Sequence, residues 1–434
     1  MRKKIGVIMA MFLCFLAIYK AEAGEIDLLV NKLVEKGVLN PTEAQILVDE
    51  TQADVAKQNA QGINTSLPSW VQNLQLKGDA RVRYQWQKKD TDSTSRNRGR
   101  VRFRLGLADQ INSKWLMEAG MATGESRSSN LTGNDPRSTN ASFLNFFERP
   151  EIRLDYADIK YKPNSNFSLV AGKFVPTDYL YKTSELVWDD DINPAGASLA
   201  YVHPTGIGDS DVFFNTGAWV LDEYRNKGIV SSDNTNAFGQ WLQYGQLGLK
   251  GTHGKFDGKV AGTYYNFNKF KGHNLDFSGG GNTKDGSSNL VYDYDAVGAS
   301  GELGVANLFG GLPFHIDERI GIFGDYIRNI SALVPAKNRD GFQVGMIVGS
   351  KTVSEKKSWN FRYMYARLKS DAFPDCFTDS DRYSGATNIW AHKFSVNYAI
   401  AKNVILGSNW YQSDTIKGVH NTENLLQADL LVKF

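Results

Sequence analysis

The chain of 434 residues carries 49 Lys and Arg against 47 Asp and Glu, with 41 Gly and 12% aromatic residues. A balance this close to neutral offers no broad basic face for nucleic acid. Of its two cysteines, Cys14 lies in the apolar leader described next and Cys376 stands alone in the remainder, so no internal disulfide is expected.

The first residues read as an export signal. Arg2, Lys3 and Lys4 precede an uncharged apolar run, Ile5 to Tyr19, and Ala21-Glu22-Ala23 supplies a small-residue cleavage pattern. Residues 1–23 are therefore expected to be a signal peptide cut after Ala23. The remainder loses four basic residues and one acidic residue with it and stays near neutrality. No later apolar run is long enough to cross a bilayer as a helix, which excludes a helical membrane protein and leaves a membrane β-barrel open.

Residues 24–59 read as a periplasmic helical segment of two short helices. Ile26, Leu29, Val30 and Leu33 repeat at helical spacing up to Gly37, and Asn40, Pro41 and Glu43 begin the second helix as a variant capping box. Residues 60–73 form a polar linker. From Leu74 the period changes to two. Gln75, Lys77, Asp79, Arg81, Arg83 and Gln85 alternate with Leu74, Leu76, Gly78, Ala80, Val82, Tyr84 and Trp86. Thirteen alternating residues reach about 40 Å, far beyond the usual soluble strand and right for a tilted membrane strand.

Continued to the end, this reading gives a sixteen-stranded antiparallel transmembrane β-barrel over 74–434. Its strands lie near 74–86, 99–109, 114–124, 150–162, 166–174, 195–203, 211–222, 239–251, 256–268, 292–305, 313–328, 340–350, 358–370, 388–400, 403–415 and 424–434. The alternation over Glu151 to Tyr161 changes register midway, the mark of a bulge. Tight turns such as 110–113, 163–165, 354–357 and 401–402 exchange with long polar connections near 87–98, 125–149, 175–194, 223–238, 269–291, 329–339, 371–387 and 416–423. Outer-membrane barrels put their short turns in the periplasm and their long loops outside. An even strand number lets the sheet close and removes its edges.

Aromatic faces fit the borders of a membrane. Trp359, Phe361, Tyr363 and Tyr365 oppose Asn360 and Arg362, and Trp390, Phe394 and Tyr398 share a face. The last strand alternates Leu426, Ala428, Leu430, Val432 and Phe434 with Gln427, Asp429 and Lys433. It resembles the terminal aromatic signature that the barrel-assembly machinery recognises, which implies that role for Phe434.

The chemistry-bearing cluster is basic. Arg81 and Arg83 share one side with Arg100, Arg102 and Arg104 of the next strand, and strands about 4.8 Å apart crowd these charges unless acids, anions or water screen them. The Asp189–Asp191 triplet lacks the Gly and the further oxygens of a calcium loop, the six histidines are scattered, and no G-x-S-x-G elbow occurs, so no metal, cofactor or catalytic site is expected. Gly279–Gly281 reads as a flexible loop tip.

The chain after the signal resembles the putative porin family of Gram-negative bacteria. The resemblance rests on Leu28-Leu29-Val30 to Lys36-Gly37-Val38-Leu39, on Leu76-Lys77-Gly78-Asp79 and on Glu185 to Pro194. It implies passive diffusion of small hydrophilic solutes or ions across outer-membrane lipid, names no solute and implies no enzyme. In general porins a similar basic ladder faces acids on the third long loop, which folds into the channel. By position and charge that loop here is Val175 to Pro194, with Glu185, Asp189, Asp190 and Asp191 facing the arginines. A homotrimer is expected by analogy with sixteen-stranded porins. The alternative is a closed or plugged barrel acting as an adhesin or membrane enzyme.

Overall fold

The computed structural model describes Ala44 and residues 73–124, 135–222, 239–307 and 319–434. The signal peptide, almost all of the amino-terminal helical segment and nearly the whole linker lie outside them, as do residues 313–318 of one expected strand; Ala44 is helical. Leu74–Phe434 form one compact unit.

That unit is a single antiparallel sheet closed on itself. Its long strands are β1 (Leu74–Lys89), β2 (Arg96–Asn112), β3 (Trp115–Gly124), β5 (Glu151–Asn164), β6 (Phe167–Lys173), β7 (Ala195–Pro204), β8 (Asp209–Asp222) and β9 (Gln240–His253). The other half comprises β10 (Phe256–Asn268), β11 (Ala296–Ala306), β12 (Arg319–Asn329), β13 (Asp340–Gly349), β14 (Trp359–Leu368), β15 (Ile389–Ala401), β16 (Val404–Thr415) and β17 (Glu423–Lys433). A two-residue strand, β4 (Ala141–Ser142), belongs to the second long loop. It pairs with β2 at Arg100 and Val101, above the point where β3 leaves that strand. β1 pairs with β2 on one side and β17 on the other, so the sixteen long strands make the closed barrel that the alternation predicts.

Alternation settles secondary structure, and burial settles which face looks where. On β1 Leu76 and Val82 are 58% and 54% exposed while Asp79, Arg83 and Gln85 are 7%, 4% and 2% exposed. The apolar face is the outside. A soluble sandwich would be the reverse. Arg362 donates to the carbonyl of Thr183 in the lumen, which turns Phe361, Tyr363 and Tyr365 outward. There Phe394 lies 4.9 Å from Tyr363 and 5.3 Å from Trp410, ring to ring.

The expected register change is a bulge at Asp155, since Tyr156 opposes Gly120 and Leu154 opposes Met121 with nothing opposite the residue between. The seam closes at the carboxyl end, where Gly78 N–H donates to the carbonyl of Phe434 at 2.9 Å and Phe434 N–H to that of Gly78 at 3.0 Å. A Cβ on Gly78 would stand 2.6 Å from the Phe434 ring, so only glycine lets the terminal ring lie over the seam.

Inside, the barrel is not evenly open. Loops fill the long-loop half beside β7–β14 with an apolar cluster centred on Trp188, whose ring is 5.4 Å from Trp219, 5.4 Å from Phe373 and 4.8 Å from Phe377. Gly279–Gly281 is part of this plug and not the flexible tip its composition suggests. Thr387 N–H donates to the Gly280 carbonyl at 2.9 Å, and a Cβ on Gly279 would fall 2.1 Å from the carbonyl oxygen of Gly385. Glycine is needed there because two loop backbones touch.

Candidate functional site

The five arginines expected to share a face do so. Register sets Arg81 opposite Arg102, Arg83 opposite Arg100 and Asp79 opposite Arg104. Their mutual repulsion is met by carboxylates. Asp79 accepts from Arg102 Nε at 2.8 Å and from Arg104 Nε at 2.7 Å. Asp429 takes Arg83 through two bonds of 2.7 and 2.8 Å and lies 4.0 Å from Arg81, which also donates to Asn140 at 2.5 Å. Arg100 donates to Gln85 at 3.2 Å and to Ser138 at 3.4 Å. Bidentate carboxylate pairing holds such guanidiniums flat against the wall.

The third long loop crosses the lumen. Tyr181 N–H donates to Gln246 at 2.8 Å, Gln246 Nε2 returns to the Tyr181 carbonyl at 2.9 Å, and Thr183 Oγ1 donates to Asp325 at 2.7 Å. Lys393 reaches Glu185 at 3.3 Å. These contacts tie a loop rooted between β6 and β7 to β9, β12 and β15 on the other side.

The four loop acids do not act alike. Asp191 alone among them touches the expected arginines, at 3.5 Å from Arg104, and accepts from Thr139 N–H at 3.1 Å. Asp190 pairs with Lys182. Asp189 is buried and accepts from Asp191 N–H at 2.9 Å and Ser380 N–H at 2.8 Å, which makes it a clamp between the third and seventh loops. Glu185 accepts from Asp190 N–H at 3.1 Å beside Lys393. All four nevertheless line one cavity of about 200 Å³ with Arg81, Arg83 and Arg102.

The seventh loop is the part the sequence reading missed. Asp381 meets Arg83 at 3.2 Å, and Asp379 brings a carboxylate oxygen within 4.8 Å of Glu185 and Asp189. Burial, then the charge of Glu185, pushes Asp379 up to about 7. Burial, with Glu185, Asp191 and Asp379 nearby, raises Asp189 well above the carboxylate range. Burial also acts on Asp381, but Arg83 and Arg100 outweigh it and hold that carboxyl below its ordinary value. Glu185 likewise is held low, because Lys393 and Lys182 outweigh its burial. Burial and neighbouring carboxylates thus prevail at Asp189, Asp190 and Asp379, whereas cations outweigh burial at Glu185 and Asp381.

The basic ladder also runs further than expected. β2 begins at Arg96, inside the stretch assigned to a loop, so Arg96 and Arg98 continue the period-two series outward. With Arg100 and Arg137 they line a second cavity of about 200 Å³ at the long-loop end. The period-two signal was in the sequence, but Ser93 to Asn97 reads as loop composition. Arg137 and Asp381 carried no local signal.

The family described as putative porin matches residues 86–289 and 283–434. No curated protein matches. Among solved structures, Pseudomonas putida OprB is 11% identical over 84% of this chain and 95% of its own, with a TM-score of 0.54, a likeness of fold. The outer membrane channel DcaP of Acinetobacter baumannii (12% identity, 83% and 97% of the chains) and Vibrio cholerae OmpT (12%, 83% and 99%) each give a TM-score of 0.45.

Proposed function

This chain belongs to the putative porin family and forms a porin-like outer-membrane barrel, and from that premise we propose that it is a passive water-filled channel whose narrowest section lies between the arginine wall and the inward loops. It takes small hydrophilic solutes and ions and is not an enzyme. The observation that supports this reading most is opposed charge between wall and loops, with Arg83 facing Asp381 and Arg104 facing Asp191. Such a transverse field acts where ions have shed part of their water, so it filters solutes although the chain is near neutral overall.

The test is conductance in a planar bilayer with a salt gradient. Stable ohmic steps are expected. Arg100→Gln, Arg102→Gln and Arg104→Gln together move the reversal potential towards cation preference, and Asp191→Asn moves it the other way. No conductance from the folded barrel refutes the channel. Unchanged reversal potentials in both variants refute the constriction.

The plugged half of the lumen supports a second reading, a closed barrel with an adhesive or enzymatic role, and the same conductance measurement separates the two. Export and assembly belong to the proposal as well. A mature chain beginning at Gly24 supports the signal peptide, and a monomeric mass in mild detergent refutes the homotrimer.

A further inference from the structure

At the long-loop end of the barrel the outward-facing residues include single charges, Lys88 on β1 and Asp414 on β16, among neutral ones. Asn97 on β2, Asn268 on β10 and Asn424 on β17 hold that level. The sector β12–β14 differs. Arg328 and Arg367 project outward there by strand alternation, and Lys369 follows just past the end of β14. Asp340 answers two of these cations, at 3.6 Å from Arg328 and 3.1 Å from Lys369, and accepts from Tyr326 Oη at 3.0 Å. Arg367 has no carboxylate partner among the described residues. Its lateral neighbours are Phe342 on β13 and Trp390 on β15.

One carboxylate set against three cations leaves the sector positive. It sits on the lipid-facing surface, where a guanidinium finds no water beside it and must turn its tip to the headgroup level. Level with Arg367 at Trp390, and one row below it at Tyr365 and His392, lies an aromatic shelf. Tyr365 and Trp390 rings stand 5.0 and 5.5 Å from His392, which shares a 2.9 Å hydrogen bond with Tyr363. Aromatic rings at this depth mark the border between acyl chains and headgroups. Charge and position together fit an anionic group presented at the membrane surface, and guanidinium matches phosphate oxygens bidentately.

We infer that Arg328, Arg367 and Lys369 form a binding site on the outer wall for the phosphate headgroup of an anionic membrane lipid, with the Tyr365–Trp390 shelf against its acyl chains. The inference rests on the barrel lying in a membrane and not on its conducting, so it fails separately from the channel reading.

The experiment is native mass spectrometry of the folded full mature chain in mild detergent, with diphosphoryl lipid A and phosphatidylcholine offered at equal concentration. Preferential retention of lipid A is expected. Arg367→Gln weakens it roughly fivefold, the loss of one interfacial cation. The triple Gln variant abolishes the preference, whereas Lys88→Gln, outward on β1, leaves it intact. Heat-modifiable mobility on gels verifies that each variant is folded. No preference in the parent chain, or full preference in the folded triple variant, overturns the site. Equal displacement by inorganic phosphate overturns the lipid assignment in favour of a generic anion patch. A change of oligomeric mass in the lipid-free triple variant overturns it in favour of a second copy of this chain.

Discussion

Trp188→Ala separates the packing of the loops from the integrity of the barrel. The side chain is 3% exposed and sits among Trp219, Tyr265, Phe373 and Phe377. Burying a Trp removes about 200 Å² from water, near 5 kcal/mol at ~25 cal/mol per Å². Truncations of this kind in packed cores cost about 3–5 kcal/mol, consistent with that figure. The loss falls on loop docking, because the strand ladder involves none of these side-chain contacts. A weakening of that size raises the population of displaced loop roughly 10²- to 10⁴-fold. The polar anchors at Tyr181 and Thr183 precede Trp188 in the chain and remain, so the segment released is Asp189–Asp191 with its partners in the seventh loop. Single-channel recording of folded protein is expected to show larger, noisier openings with substates, and Trp188→Phe to restore most of the parent behaviour. Parent-like traces from a folded Trp188→Ala barrel would refute the argument that this cluster holds the constriction.

Three further outcomes follow from individual contacts. Asp79→Asn uncovers the guanidiniums of Arg102 and Arg104; one unit of charge at ~6 Å in water-like dielectric is worth about 0.7 kcal/mol, so anion preference rises about threefold at low salt and fades near 1 M, read from reversal potentials. Asp379, lifted to about 7, is neutral below that pH and ionised above it. Raising pH from 6 to 8 therefore shifts preference towards cations and lessens loop stability, since a raised carboxyl stabilises below its unfolded value near 4 and loses that contribution as pH climbs through 7; Asp379→Asn removes the shift. Deleting Phe434 removes the backbone pair with Gly78 and a ring 6.5 Å from Phe103, so folded barrel in the membrane falls while synthesis continues, measured by heat-modifiable mobility.

Period-two alternation is a local property, and what depends on it alone was legible in the sequence. The strands, their even number, the Asp155 bulge and the common side of Arg81, Arg83, Arg100, Arg102 and Arg104 all follow from which neighbours in the chain are polar. The third loop's acids were visible as composition and position, yet of Glu185 and Asp189–Asp191 only Asp191 meets those arginines. Closure and loop packing decided the rest. Arg83 meets Asp429 from the last strand because the ends of the sheet join, and meets Asp381 because the seventh loop folds inward. Gly279 became a contact between two backbones for the same reason. Alternation repeats every two residues and is written into each strand, whereas which strand closes on which, and which loop fills the space left, is set by contacts between residues hundreds of positions apart that no local pattern records.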